Sequence, residues 1–228
     1  MPKDYAVDTS PVVFMGDSVT LGAWASSWDH AFVPLVRDDL KSRGIDDPFQ
    51  LIITLTAYND LIASQNAANR YRSLIIVEVG VHWAPVYNSS QFRQMYGMML
   101  DCLQGSGATV VVGTIPWLGW EPDTAQYAKM SLFSQIIREE ASKRGIAVAD
   151  LWAATDKRED AISQPGQPCF MGKECQGDGY HPGDIGHALI AQAYAKALDV
   201  ALATPPTHQY VNRCNYNEYF FDELSGQQ

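Results

Sequence analysis

Three side chains in this sequence have the types needed for acyl transfer: Ser18, Asp178 and His181. A serine hydroxyl becomes a competent nucleophile when a histidine takes its proton, and that histidine works best when an acid orients it. Asp178 and His181 stand three residues apart in Gly177-Asp178-Gly179-Tyr180-His181-Pro182 and supply both partners. Ser18 lies at the other end of the chain, in Pro11-Val12-Val13-Phe14-Met15-Gly16-Asp17-Ser18-Val19-Thr20-Leu21-Gly22. The four apolar residues Val12–Met15 read as a buried strand, and Gly16 lets the backbone turn sharply before the acid and the serine. Serine and aspartate are also favoured helix N-caps. On this stretch alone the cap is the simpler reading; the Asp178/His181 pair tips it towards a nucleophile.

The elements that would bring these groups together alternate along the chain. Strands are predicted at Val12–Met15, Gln50–Thr54, Leu74–Val79, Thr109–Gly113 and Ile146–Leu151. Helices are predicted at Ala31–Ser42, Ser90–Leu103, Thr124–Arg144 and Asp184–Ala203, with Gly44, Gly145 and Pro205-Pro206 as stop signals. No helix is assigned between the second and third strands, and Ala153–Gly179 reads as irregular. Nearly all-apolar strands alternating with helices imply a parallel sheet covered on both faces. Five such strands predict a three-layer α/β/α sandwich of flavodoxin-like order. Ligands of such sheets bind beyond the carboxyl ends of the strands. Ser18, Thr56–Asp60, Gly80–Trp83 and Ile115–Trp117 all follow strands, and Asp178 and His181 precede the last helix, so these groups can converge on one side.

The 228 residues suit one domain, residues 1–228, with 204–228 as a polar tail carrying several aromatics and packing back on it. A net charge of −10 argues against nucleic acid and against an anionic membrane surface as partners. No apolar run is long enough to span a bilayer, and the first residues carry no signal-like apolar segment. Of the four cysteines, Cys102 lies in an apolar helical pattern and reads as a small core residue. Cys169 and Cys175 bracket a short loop in a Gly/Pro-rich stretch. A disulfide there would point to an extracellular or periplasmic location, and two free thiols to the cytoplasm. The C-x2-C spacing of zinc sites is absent. Asp178, His181, Asp184 and His187 recur at every third residue, but Pro182 and Gly183 interrupt the run, so no metal site is predicted. No organic cofactor is expected either. Glu78 falls inside a predicted central strand, where a carboxyl group requires a buried partner.

Gly16-Asp17-Ser18 with Leu21-Gly22, and Asp178-Gly179-Tyr180-His181-Pro182 with Gly186 and Ile190-Ala191, resemble the first and last blocks of the SGNH hydrolases, the GDSL-type lipases and esterases. The resemblance runs from about Val12 to Leu202. It implies that Ser18 is the nucleophile, His181 the general base and acid, and Asp178 the group that orients His181. The family's third block is usually G-x-N-D, with an asparagine that donates to the oxyanion; here it reads Gly80-Val81-His82-Trp83. His82 stands at the asparagine's place, and an imidazole N–H can also donate. The other reading of His82 is a satisfied polar residue beneath a loop. The second block usually offers a glycine N–H, for which Ala57 or Tyr58 is the nearest replacement. The expected oxyanion donors are therefore Ser18, Ala57 and His82.

Trp24 and Trp28 follow the first strand, Trp83 the third, and Trp117 and Trp120 the fourth, whereas Trp152 reads as core. Aromatic faces near a nucleophile suit a sugar ring or an acyl chain, so Trp24, Trp83 and Trp117 are candidate substrate contacts. No strongly apolar loop suggests a lid over a long lipid. The expected activity is hydrolysis of short acyl esters, with a small-molecule or carbohydrate ester as partner and O-acetyl groups on carbohydrate as one such substrate. Two alternatives share these residues: a carbohydrate- or ligand-binding protein of the same fold with a weakened oxyanion hole, and an acyltransferase using the same triad.

Overall fold

The computed structural model describes residues 11–71, 73–170, 177–203 and 214. Strands β1 (Val12–Gly16), β2 (Phe49–Ile53), β3 (Leu74–Glu78), β4 (Thr109–Gly113) and β5 (Ala147–Ala149) form one sheet in the order β2-β1-β3-β4-β5. Every pairing is parallel, the arrangement expected from the continuous apolar strands. All residues of the central strands β1 and β3 are buried, while edge strand β2 is only partly covered.

Helices α1 (Phe32–Ser42) and α6 (Asp184–Ala203) pack against each other, as α3 (Ser89–Gly105) does against α2 (Ala57–Arg70) and α4 (Ala125–Lys143). Aromatic stacking joins α1 to α6 and α3 to α4: Phe32 meets Tyr194 at 5.5 Å, and Phe92 meets Phe133 at 3.9 Å. The Tyr194 hydroxyl donates to the Val77 carbonyl at 2.9 Å and so pins α6 to β3. No helix among the described residues is long and apolar enough to cross a membrane.

Helix α2 is absent from the sequence pattern for a physical reason. Its buried residues are Ala57, Asp60, Leu61, Ala63, Ser64, Ala67 and Ala68, so small and polar side chains replace the apolar stripe that marks an amphipathic helix. Its start is nonetheless capped: the Thr56 hydroxyl accepts from the Asn59 amide at 3.1 Å. β5 ends at Ala149, before the predicted Leu151, because Asp150 caps a short helix α5 (Leu151–Thr155) by accepting from the Ala153 amide.

The reading of Cys102 as a plain core residue is corrected: it forms a disulfide with Cys214, 112 residues away. Cys214 is buried, and its carbonyl accepts from the Gln65 side chain at 3.2 Å, which seats the tail at this point against α2 and α3. Cys169 is not a free thiol. Its expected partner Cys175 lies outside the described residues.

Candidate active site

β1 ends at Gly16, where only a residue without a side chain fits. A Cβ there would stand 1.9 Å from the Thr20 hydroxyl and 2.4 Å from the Glu78 carbonyl. The chain then winds tightly instead of entering a helix. Asp17 Oδ1 accepts from the Val19 amide at 2.9 Å, the Leu21 amide donates to the Asp17 carbonyl, and the Ala23 amide donates to the Ser18 carbonyl. The first α-helix begins only at Phe32, so Ser18 does not serve as its N-cap. Its hydroxyl stands 2.9 Å from His181 Nε2 instead.

His181 is fixed from behind. Its Nδ1 lies 2.6 Å from Asp178 Oδ2, which places the ring proton on that nitrogen and leaves Nε2 to accept from Ser18. Asp178 Oδ1 accepts from the Tyr180 and His181 amides, both at 2.9 Å, and from the Ser163 hydroxyl at 3.1 Å. Burial opposes the Asp178 anion. The His181 side chain and then the His181 and Tyr180 amides outweigh it, so the pKa lies below the usual aspartate value. Ser163 is a residue that sequence reasoning misses. It is fully buried, and its backbone also pairs with His181 and Gly179. A serine 15 residues before Asp178, in an irregular stretch, carries no pattern that would single it out.

Trp24 is half-buried and stacks on His181, with ring centroids 3.8 Å apart and planes 8° from parallel. The two other tryptophans expected at the substrate are corrected. Trp83 is fully buried and donates its indole N–H to Asp60, and Trp117 is buried with its indole N–H on the Trp120 carbonyl at 2.8 Å. Both follow strands at the right end of the sheet, but their rings turn into the core.

His82 lies on a 3-10 turn, Val81–Trp83, entered through Gly80 at φ +144°. Its Nε2 is 3.8 Å from Asp17 Oδ2, and among the described residues neither buried atom has a hydrogen-bond partner. The His82 ring lies beside the turn that carries Ser18. Ala57 is the first residue of α2, and this connection runs alongside the same turn, since the Thr54 amide donates to the Gly16 carbonyl at 2.8 Å. Beneath the turn, Glu78 finds the partner its position demands. Thr20 donates to Glu78 at 3.1 Å, and burial, and then the charge of Asp17, push the Glu78 pKa well up. Burial also raises Asp17, against the pull of the Val19 amide and His82. Asp60 is pushed up to about 7 by burial, despite donors from Thr54 and Trp83.

The run Asp178, His181, Asp184 and His187, which crosses into α6, does not form one cluster. His187 is buried, accepts from the Phe32 amide and donates to the Ala23 carbonyl at 3.2 Å; burial lowers its pKa to about 4. Asp184 instead binds Ser26. Among the described residues no group of three or more His, Cys, Asp or Glu could hold a metal ion.

The same fold occurs in solved structures. An alpha/beta hydrolase enzyme, LAE5, from the metagenome of Lake Arreo, Spain, superposes with a TM-score of 0.64 at 17% identity, covering 84% of this chain and 96% of that one. The acetyl xylan esterase AlAXEase gives 0.60 at 21% identity over 82% and 99%. A variant of an acetyl xylan esterase from Geobacillus stearothermophilus gives 0.60 at 14% identity over 84% and 94%. No curated protein matches the chain. Residues 14–189 match the GDSL-like lipase/acylhydrolase family, and the chain belongs to that family.

Proposed function

We propose that this protein is a serine ester hydrolase that removes short acyl groups, with O-acetyl groups on carbohydrate as its substrate class. The observation that carries the reading is the continuous hydrogen-bonded line from Asp178 through His181 to Ser18, with steps of 2.6 and 2.9 Å. Membership of an acylhydrolase family supports the reaction class. The acetyl preference draws on the two acetyl xylan esterases of the same fold.

In this mechanism Ser18 Oγ attacks the ester carbonyl carbon as its proton passes to His181 Nε2. The carbonyl oxygen becomes an anion, which the Ser18 and Ala57 amides and the His82 ring N–H stabilise. His181 then gives its proton to the departing alcohol oxygen, leaving an acyl group on Ser18. Water attacks that acyl group with His181 again as base, and the carboxylic acid leaves as Ser18 regains its proton. Asp178 keeps Nδ1 protonated throughout and faces the imidazolium that forms in each half-reaction.

The test is labelling with a fluorophosphonate together with p-nitrophenyl acetate hydrolysis. The parent is expected to be labelled at Ser18 and to hydrolyse the ester. Ser18→Ala should lose labelling and about a million-fold in kcat. Parental activity in Ser18→Ala would remove the assignment.

A further inference from the structure

We propose that Trp24 is a positioning residue for His181: its indole face holds the imidazole in the plane that joins Ser18 to Asp178 and stabilises that ring as it becomes positively charged. The proposal rests on the ester-hydrolase reading for its kinetic consequence, and on geometry alone for the positioning.

The two hydrogen bonds of His181 lie in the ring plane and fix it end to end. They restrain rotation about the line between them only weakly. The stacked indole, at 3.8 Å and 8°, supplies that missing restraint across the whole ring. Tyr180, the other aromatic neighbour of His181, meets it edge-on at 5.2 Å and 77°.

The backbone indicates that this stack is imposed by its surroundings. Trp24 has φ +65°, and among the described residues only Lys157 shares a positive φ without being glycine. A bulky residue persists in such a conformation only where its surroundings dictate it. They do so on both sides. The Ala23 carbonyl accepts from His187 at 3.2 Å, and the Ser26 amide and hydroxyl donate to Asp184 at 2.8 and 2.6 Å. The Ala25 carbonyl accepts from the Phe170 amide at 3.1 Å. Asp184 and His187 belong to α6, the helix that begins three residues after His181. The helix that follows His181 in the chain thus holds, through Ala23 and Ser26, the segment that carries the indole.

The chemical consequence follows from the charge. A cation over the face of an indole is attracted by the ring quadrupole, and tryptophan gives the strongest such contact. His181 is neutral before attack and an imidazolium in the transition state, so the attraction grows along the reaction and raises kcat more than it affects binding.

Trp24→Asn removes the π face while suiting the left-handed backbone, and Trp24→Phe keeps a smaller face. With p-nitrophenyl acetate, Trp24→Asn is expected to lose about tenfold in kcat with KM within about twofold, and Trp24→Phe to recover most of the loss. The His181 ring protons, followed by NMR in the resting protein, should be shifted upfield by the indole ring current in the parent, partly so in Trp24→Phe, and not in Trp24→Asn. Unchanged kcat in Trp24→Asn, or a rise in KM with kcat retained, overturns the proposal. So does a parent whose His181 protons are unshifted, whatever Ser18 does. Shifted His181 protons in a protein whose Ser18 resists the fluorophosphonate overturn the hydrolase reading and leave the positioning supported.

Discussion

Asp178 and Asp60 each accept from the N–H of an aromatic ring, the imidazole of His181 in one case and the indole of Trp83 in the other, yet their pKa values move in opposite directions. Asp178 keeps 29% of its side-chain surface and gathers four donors, two of them backbone amides. Asp60 is almost fully buried, accepts among the described residues only from the Thr54 and Trp83 side chains, and also senses the Asp17 carboxylate. Lost hydration sets the Asp60 value, and the donors set that of Asp178. The first arrangement keeps an anion where an imidazolium must form. The second raises the pKa values of a buried group of acids beneath the Ser18 turn, where charge is costly.

The contrast is broken most directly at Asp178. In Asp178→Asn the amide oxygen can keep the backbone donors, but the amide nitrogen would donate to His181 Nδ1. The ring proton then moves to Nε2, which can no longer take the Ser18 proton. A loss of about 10,000-fold in kcat is expected, measured on p-nitrophenyl acetate with the folded state checked by circular dichroism. A loss of tenfold or less would mean that the Asp178 charge and the tautomer it sets are dispensable.

Asp60→Asn sharpens the other side. Asp60 has a folded pKa of about 7 against an ordinary value of 3.8, so its contribution to stability is complete below about pH 4 and is lost as pH rises through about 7. His187 has the opposite sign: lowered from 6.5 to about 4, it contributes above about pH 6.5 and loses that contribution as pH falls through about 4. The difference between Asp60→Asn and the parent isolates Asp60. From pH 4 to 7 the variant should gain on the parent by on the order of 4 kcal/mol, read from urea denaturation at each pH. Parallel stability curves would show that Asp60 is ionised in the folded protein.

The smallest of these effects is at His82, between the two regions. His82→Ala should lower kcat by about 100- to 1,000-fold with little change in KM, and His82→Asn should lose much less. A kcat within a few-fold of the parent in His82→Ala would assign His82 to the buried acids and leave the oxyanion to the Ser18 and Ala57 amides.

The strands are legible in the sequence because a sheet covered on both faces demands continuous apolar runs, and β4 is found with the predicted ends. Helix α2 is not, because its buried face is built from alanine, serine and aspartate. For the tryptophans, position after a strand indicates which end of the sheet a residue occupies but not which way its ring points. Trp24 therefore reaches His181 while Trp83 and Trp117 enter the core. The Cys102–Cys214 disulfide depends on where the tail returns, which no local pattern encodes.

The sequence by itself determined which reactive groups exist, the two motifs that hold them, and the alternation that makes a parallel sheet. Strand periodicity and turn residues are local properties, and they suffice for that. Only the tertiary structure decided that Ser18 and His181, 163 residues apart, stand 2.9 Å from each other, that Trp24 faces the imidazole, and that burial pushes the Glu78 pKa up. Distance and charge state depend on which groups surround a side chain and how much water they exclude, and those neighbours are assembled from distant parts of the chain.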